Sequence, residues 1–434
     1  MPSPKGLALS SIRNQTFSAV LYFVVVLWLA AFILALPCAA QTVTDIYNFT
    51  GNPGDGFEPT VPMIVSPTGV FYGTTLYGGD FNCGYGGCGT VFQLTHSGNQ
   101  WTHTTIYQFQ GGKDGYESYS NLTLDPAGRL YGVTDGGTPW NAVFRLTPGT
   151  SDPWHIALPY QFTGQSDGGY PLSPLFLDNR GAIYGASQEG GLHGKGCNQQ
   201  FGCGTIFQLV PPATHGGAWT EHTLYEFKGA SDGGNPSTMI MDGTGTIYGT
   251  TTSGGIFNSN CPSGCGVVFK LTPKNGTWNY SVIFSFSGAP EDFPYGNLVL
   301  GPSGVLYGMV KGGSLGGGGA AIFQLTPPAG AGSWTLQDIH EYSQQSYQAT
   351  NLTLGANGVL YGDIYGDQDL DYGYVFQLVP PGQPGGQWTY TTLVDFNKVG
   401  ISQNPSGVVV SSGVLYVSVS GGTYWPGAIV SVVP

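Results

Sequence analysis

One short mark constrains this chain more than any other feature. A hydrophobic residue followed by Tyr-Gly recurs at Tyr72-Gly73, Tyr131-Gly132, Tyr184-Gly185, Tyr248-Gly249, Tyr307-Gly308 and Tyr361-Gly362, with a degenerate seventh copy at Tyr416-Val417. The interval runs from 53 to 64 residues. A period of that size marks a repeat architecture, in which each unit buries its faces against its neighbours. A second mark follows each first one: Val91-Phe92, Val143-Phe144, Ile206-Phe207, Val268-Phe269, Ile322-Phe323, Val375-Phe376 and, in the last unit, Ile429-Val430. A tryptophan then opens a third segment at Trp101, Trp154, Trp219, Trp278, Trp334 and Trp388, which closes on an aromatic residue such as Phe109 or Phe227.

Each unit therefore reads as four short strands, which in the second unit are Ser120–Leu124, Arg129–Thr134, Ala142–Leu146 and Trp154–Phe162. The first two are joined by Ser66-Pro67-Thr68-Gly69, Asp125-Pro126-Ala127-Gly128, Asp178-Asn179-Arg180-Gly181 or Asp242-Gly243-Thr244-Gly245. These spell a type I turn with a glycine that accepts positive φ, hence a tight hairpin. The strands are apolar or aromatic along their length, so both faces are expected to be buried between stacked sheets. Four strands per repeat with both faces covered is a β-propeller blade. The seventh unit lacks a Trp-led fourth strand. Thr44–Phe49 matches the fourth strand around Thr105–Phe109 and supplies what the last unit lacks. The expected fold is all-β: one seven-bladed propeller over 41–434, closed by its N-terminal strand. Composition agrees, with 72 Gly, 13% aromatic residues and only 9% charged residues, the reverse of a disordered chain. A net charge of −13 argues against a nucleic-acid partner.

The first forty residues read differently. Lys5 and Arg13 precede an apolar run from Ala19 to Leu36 and then Pro37-Cys38-Ala39-Ala40. This is the layout of a secretory signal peptide over 1–40, with cleavage after Ala40. The run also reaches the lower limit of a membrane span, so an uncleaved anchor is the alternative, and the membrane would be met only there. Six further cysteines form three close pairs, Cys83/Cys88, Cys197/Cys203 and Cys261/Cys265, each just before a third strand. Local disulfides are expected over zinc, because a zinc site needs two such pairs brought together and these lie in separate repeats.

The repeat, best seen at Ile247–Thr251, Gly254-Gly255 and Gly89–Thr95, resembles the GloVer-type tandem repeat of exported bacterial proteins with varied surface anchors. The resemblance spans nearly all of the mature chain and departs at Val417 and Ile429. It implies a secreted or cell-envelope protein, and it implies no catalytic residue.

Candidate chemistry gathers on the loops that cross from one blade to the next. These carry Asp-Gly at Asp55, Asp114, Asp167 and Asp232, with Asp292 as a weaker version. They are expected to share one channel mouth with the cysteine loops. The carboxylates are candidate ligand-binding groups or turn caps; a calcium ion among them is the alternative to a protein without a cofactor, and no metal-ligand set is otherwise legible. Tyr77 and Tyr170, with Tyr85, Tyr116 and Phe257, are the loop aromatics placed to touch a ligand. His103 and His222 are expected at matching packing positions, and the repeated tryptophans between blades. No hydrolase motif is present, and the histidines form no metal cluster. The leading function is a monomeric, non-catalytic binding or scaffold protein with an extracellular glycan or protein ligand. The alternative is a carbohydrate-active hydrolase or lyase using two of Glu58, Glu117, Glu189 and Glu291. Two facing carboxylates, one of them desolvated, would favour the enzyme.

Overall fold

The computed structural model describes residues 42–434 except 53, 80–82, 84–85, 99, 117, 119–120, 137–140, 150–152, 172–173, 198–199, 215, 289–292, 312–319, 343–347, 367–371, 384, 400–402 and 422–425. The expected leader, Glu117, Glu291, Asp292 and Tyr85 lie outside the described residues.

Seven antiparallel sheets of one plan follow each other along the chain. The fourth, for example, contains Gly234–Met241, Ile247–Ser253, Val267–Lys274 and Thr277–Ser285 in sequence order. First strands of successive later blades touch one another, which sets them around the axis. The last blade is completed by the N-terminal strand: Val43–Asn48 pairs antiparallel with Ala428–Val432, from Val43 opposite Val432 to Asn48 opposite Ala428. The ring is closed by the strand expected from the sequence, which gives the last blade its fourth strand.

The two marks of the repeat are halves of one packing device. Gly73 lies opposite Phe92, and Gly132, Gly185, Gly249, Gly308 and Gly362 face the matching phenylalanines. A Cβ on any of these six glycines would fall within 3.0 Å of the phenylalanine ring. Glycine here is a socket for an aromatic side chain that is wholly buried in every case. The tyrosine beside it serves the seam between blades. Tyr72 packs on Trp154 of the next blade, Tyr184 on Trp278, Tyr248 on Trp334, Tyr307 on Trp388 and Tyr416 on Trp101, at ring-centroid distances of 5.6 to 6.1 Å. The tryptophans are inter-blade packing residues.

Two expectations need correction. Second and third strands are buried on both faces, as in Leu130–Thr134 and Ala142–Thr147. The fourth strand is not: in Gln100–Gln108 exposed and half-buried residues alternate, because this strand lies at the rim with one side in solvent. His222 does not match His103 either. His103 lies opposite Leu94, whereas His222 lies opposite Gln208, one place further along, so the pleat sends it outward and it is exposed. The turns of the first four blades have the expected form, with Gly69, Gly128, Gly181 and Gly245 at positive φ and donating to Ser66, Asp125, Asp178 and Asp242. Blades five to seven replace it with left-handed Ser303, Asn357 and Ser412, each followed by a left-handed glycine, the pattern of a two-residue hairpin.

Candidate functional site

The crossing loops are built from the inside outwards. A tyrosine two residues before the closing aromatic donates its hydroxyl to the aspartate of the loop that follows. Tyr47 reaches Asp55 Oδ2 at 3.1 Å, Tyr107 reaches Asp114 at 2.8 Å, Tyr160 reaches Asp167 at 3.0 Å and Tyr225 reaches Asp232 at 2.8 Å. The same oxygen accepts a backbone N–H from Thr50, Gln110, Thr163 or Lys228 at 2.8 to 3.1 Å. All four candidate ligand carboxylates are thus engaged by their own loops, the bonding of a turn cap. Burial, together with the neighbouring carboxylate, pushes the Tyr47 phenol up to about 12. The glycine after each aspartate is forced: a side chain at Gly56, Gly168 or Gly233 would collide with Thr75, Ser187 or Thr251.

Three residues further along, the backbone does something costlier. Glu58, Tyr170 and Asn235, each preceding a proline, have φ of 58°, 56° and 52°. Left-handed non-glycine residues cost about 1–3 kcal/mol apiece and persist where the surroundings dictate them. Here they tie adjacent blades. Glu58 N–H donates to Pro426 O at 2.8 Å, and Asn235 N–H to Cys203 O at 2.7 Å. The Tyr170 hydroxyl reaches back to Asp135 Oδ2 at 3.0 Å. Asn235 also donates to Gln188 O and accepts from Ser253 Oγ.

The expected disulfides are all formed: Cys83–Cys88, Cys197–Cys203 and Cys261–Cys265. Their role goes beyond closing a small loop. Each packs on a glycine of the crossing that leaves its own blade, Gly111, Gly229 and Gly288, where a Cβ would strike sulfur. On the other flank Gly79, Gly191 and Gly255 donate backbone N–H bonds to the crossing that enters the blade, at 3.2, 2.6 and 2.7 Å. A stapled loop therefore holds two crossings.

The residue at or just past the end of each second strand, before a glycine, borders this framework. It is Tyr77 in the first blade, Asp135 in the second, Glu189 in the third and Ser253 in the fourth, each paired with a crossing residue. Tyr77 is half-buried beside Phe57, ring centroids 5.3 Å apart. Tyr170 is half-buried as well. Burial, and then the charge of Asp135, raises the Glu189 carboxyl above its ordinary value; burial alone raises Glu58. Asp135 escaped the sequence reading because it lies outside the Asp-Gly-x-x-Pro pattern. Its signal was register: it occupies the place of Tyr77. Phe257 carries Lys195 of the neighbouring stapled loop over its ring at 4.9 Å, and Tyr116 covers Gly136. Among the described residues no group of three or more His, Cys, Asp or Glu is arranged to hold a metal ion.

A closed ring of seven four-stranded blades, with glycine sockets and aromatic seams repeated around it, defines a tandem-repeat β-propeller. The chain belongs to the Gloeobacter/Verrucomicrobia repeat family, whose profile matches residues 31–197 and 140–376. Among solved structures it is similar to the Myceliophteria thermophila Cps50 (Swd1) β-propeller domain, at 9% identity and a TM-score of 0.52, covering 91% of this chain and 99% of that one. It is also similar to a Bacteroides uniformis protein provisionally described as a 6-phosphogluconolactonase (12% identity, TM-score 0.47, 76% and 86% covered). A Dyadobacter fermentans protein of unknown function matches at 13% identity and TM-score 0.45, with 90% and 98% covered. At these identities the likeness shows the fold alone. No curated protein matches the sequence.

Proposed function

We propose that this propeller is an exported, non-catalytic binding protein that takes a glycan at the mouth edged by the crossing and stapled loops of blades one to four. One observation carries the reading: Glu58, Tyr170 and Asn235 occupy the same left-handed place in three crossings. An identical, costly backbone presents three chemically different side chains. That is how a rigid repeat scaffold varies a binding face while its core stays constant. Phenol, carboxamide and carboxylate groups suit the hydroxyls and rings of sugars. The three disulfides support assembly in an oxidising compartment, and so export. The test is a glycan array probed with the full chain, then titration of the bound glycan against Tyr170→Ala and Asn235→Ala. A loss of about tenfold or more is expected; unchanged affinity in both variants overturns the assignment.

One observation favours a second reading. Glu189 has its carboxyl raised by burial beside Asp135, whose own oxygen accepts from Tyr170. A desolvated acid near a second carboxylate is one feature that a glycoside hydrolase requires. Release of reducing sugar from an array-positive glycan, abolished by Glu189→Gln, would select the enzyme.

A further inference from the structure

The ring has to close somewhere, and at the closing seam a titratable ring stands among aromatic side chains. At three seams the ring two places before the closing aromatic stacks on the fourth strand of the next blade. Between blades three and four, Tyr225 stacks on Tyr280 with centroids 3.9 Å apart. Where the N-terminal strand meets the first blade, Tyr47 stacks on His103 at 4.1 Å, with ring planes 8° apart. Phe49 and Phe92 stand around the same imidazole at 5.6 and 5.5 Å.

His103 is thus inside an aromatic box, its side chain only 9% exposed, and Nε2 has no hydrogen-bond partner. The strand it clasps is the one held to the last blade by a single ladder. Among the described residues, one charged group lies within 4 Å, Asp55 Oδ1 at 3.9 Å. Its other oxygen, Oδ2, accepts from Tyr47 and Thr50, while Oδ1 takes the N–H of Gly56 and stays beyond hydrogen-bond distance of the imidazole. Tyr47, the other titratable group at the imidazole, stays neutral through the acid range. A proton added to Nε2 in the closed ring would put a cation among three rings with no free acceptor at hydrogen-bond distance. Opening the strand hydrates the imidazole and accepts the proton freely.

We propose that the closing seam is an acid-opened latch, with His103 as its sensor. The sign follows from burial. Desolvation lowers the His103 pKa in the closed ring, and the attraction of Asp55 offsets this only in part. The open form therefore binds more protons below the ordinary histidine range, and closure is lost as pH falls through it. The equivalent pair at the seam between blades three and four shows what a pH-blind latch looks like: Tyr225 on Tyr280. His103→Tyr copies that pair, keeping the stack and removing the titration.

The test is hydrogen exchange on the full chain at pH 7.5 and pH 5, corrected for intrinsic rates and read on peptides covering 42–49 and, as reference, 267–285. In the native protein, protection of 42–49 should fall roughly threefold or more relative to the reference. In His103→Tyr the two segments should change together. Equal protection of 42–49 at both pH values, or the same relative loss in His103→Tyr, overturns the proposal. Should that variant fail to fold, the titration of His103 followed by NMR in the native protein decides: a midpoint at or above the ordinary histidine value contradicts it.

Discussion

Val417 faces Val430 across the second and third strands of the last blade, at the register where Gly73 faces Phe92 in the first. What reads in the sequence as decay of the Tyr-Gly mark is an exchange of partners. The glycine gains a side chain and the phenylalanine gives way to a smaller one, so the shared space stays filled. Both valines are buried, with 0% and 1% exposure.

The exchange predicts strong coupling. Val417→Gly alone opens a cavity and Val430→Phe alone collides with the valine opposite, each costing about 1–3 kcal/mol. Together they recreate the socket of the other blades and should recover most of the loss. Thermal denaturation of the four proteins measures this; additive losses would show that the two positions do not share a space.

The aspartate caps predict a local rather than global defect. Asp232→Ala leaves the donors of Tyr225, Lys228 and Ala230 without their acceptor. A loss of about 1–3 kcal/mol is expected, with the first proteolytic cut falling in 228–234. Tyr225→Phe should cost less. Added calcium should leave the melting temperature unchanged, because these carboxylates already have their partners; a clear rise would make them cation ligands.

The staples should resist reductant until the protein unfolds, since Cys88, Cys203 and Cys265 are fully buried. Thiol counting after denaturation without reductant should find none among the six. Chain entropy puts each short loop at about 2 kcal/mol. Replacing Cys197 and Cys203 by serine should raise exchange in 190–204 and in the crossing at Gly229, while the sheets keep their protection.

A second histidine gives an independent pH effect. Burial lowers His340 to about 4, and its ring stacks on Tyr390 at 4.0 Å between blades five and six. The folded protein holds it neutral, so its contribution is complete above the ordinary value of 6.5 and is lost as pH falls from there towards 4. The melting temperature should drop across that window, and His340→Tyr should flatten the drop. An unchanged slope would place the acid sensitivity elsewhere.

The fold was legible because its packing rules repeat. The marks that hold Tyr72 and Trp154, or Gly249 and Phe269, recur once per unit in the same order, and that recurrence picks them out. The candidate site was legible only where it repeats. Asp167 stands out through its Asp-Gly signature, whereas its partner Tyr160 carries a weaker signal, the seven-residue spacing that also separates Tyr107 from Asp114 and Tyr225 from Asp232. Asp135 has no motif, and only strand register brings it to Tyr170. His222 misled because a one-residue offset from the tryptophan reverses a side chain on a pleated strand.

Closure of the ring by its own N-terminal strand can be trapped covalently. Thr44 and Ser431 are direct cross-strand partners there, with Thr44 exposed. A Thr44→Cys, Ser431→Cys protein, carrying Cys38→Ser, should oxidise to an intramolecular disulfide joining the first and last strands. Peptide mapping should recover that cross-link in nearly all molecules, with a raised melting temperature. Two free thiols after oxidation, or disulfide-linked dimers in place of the internal bond, would contradict the closed ring.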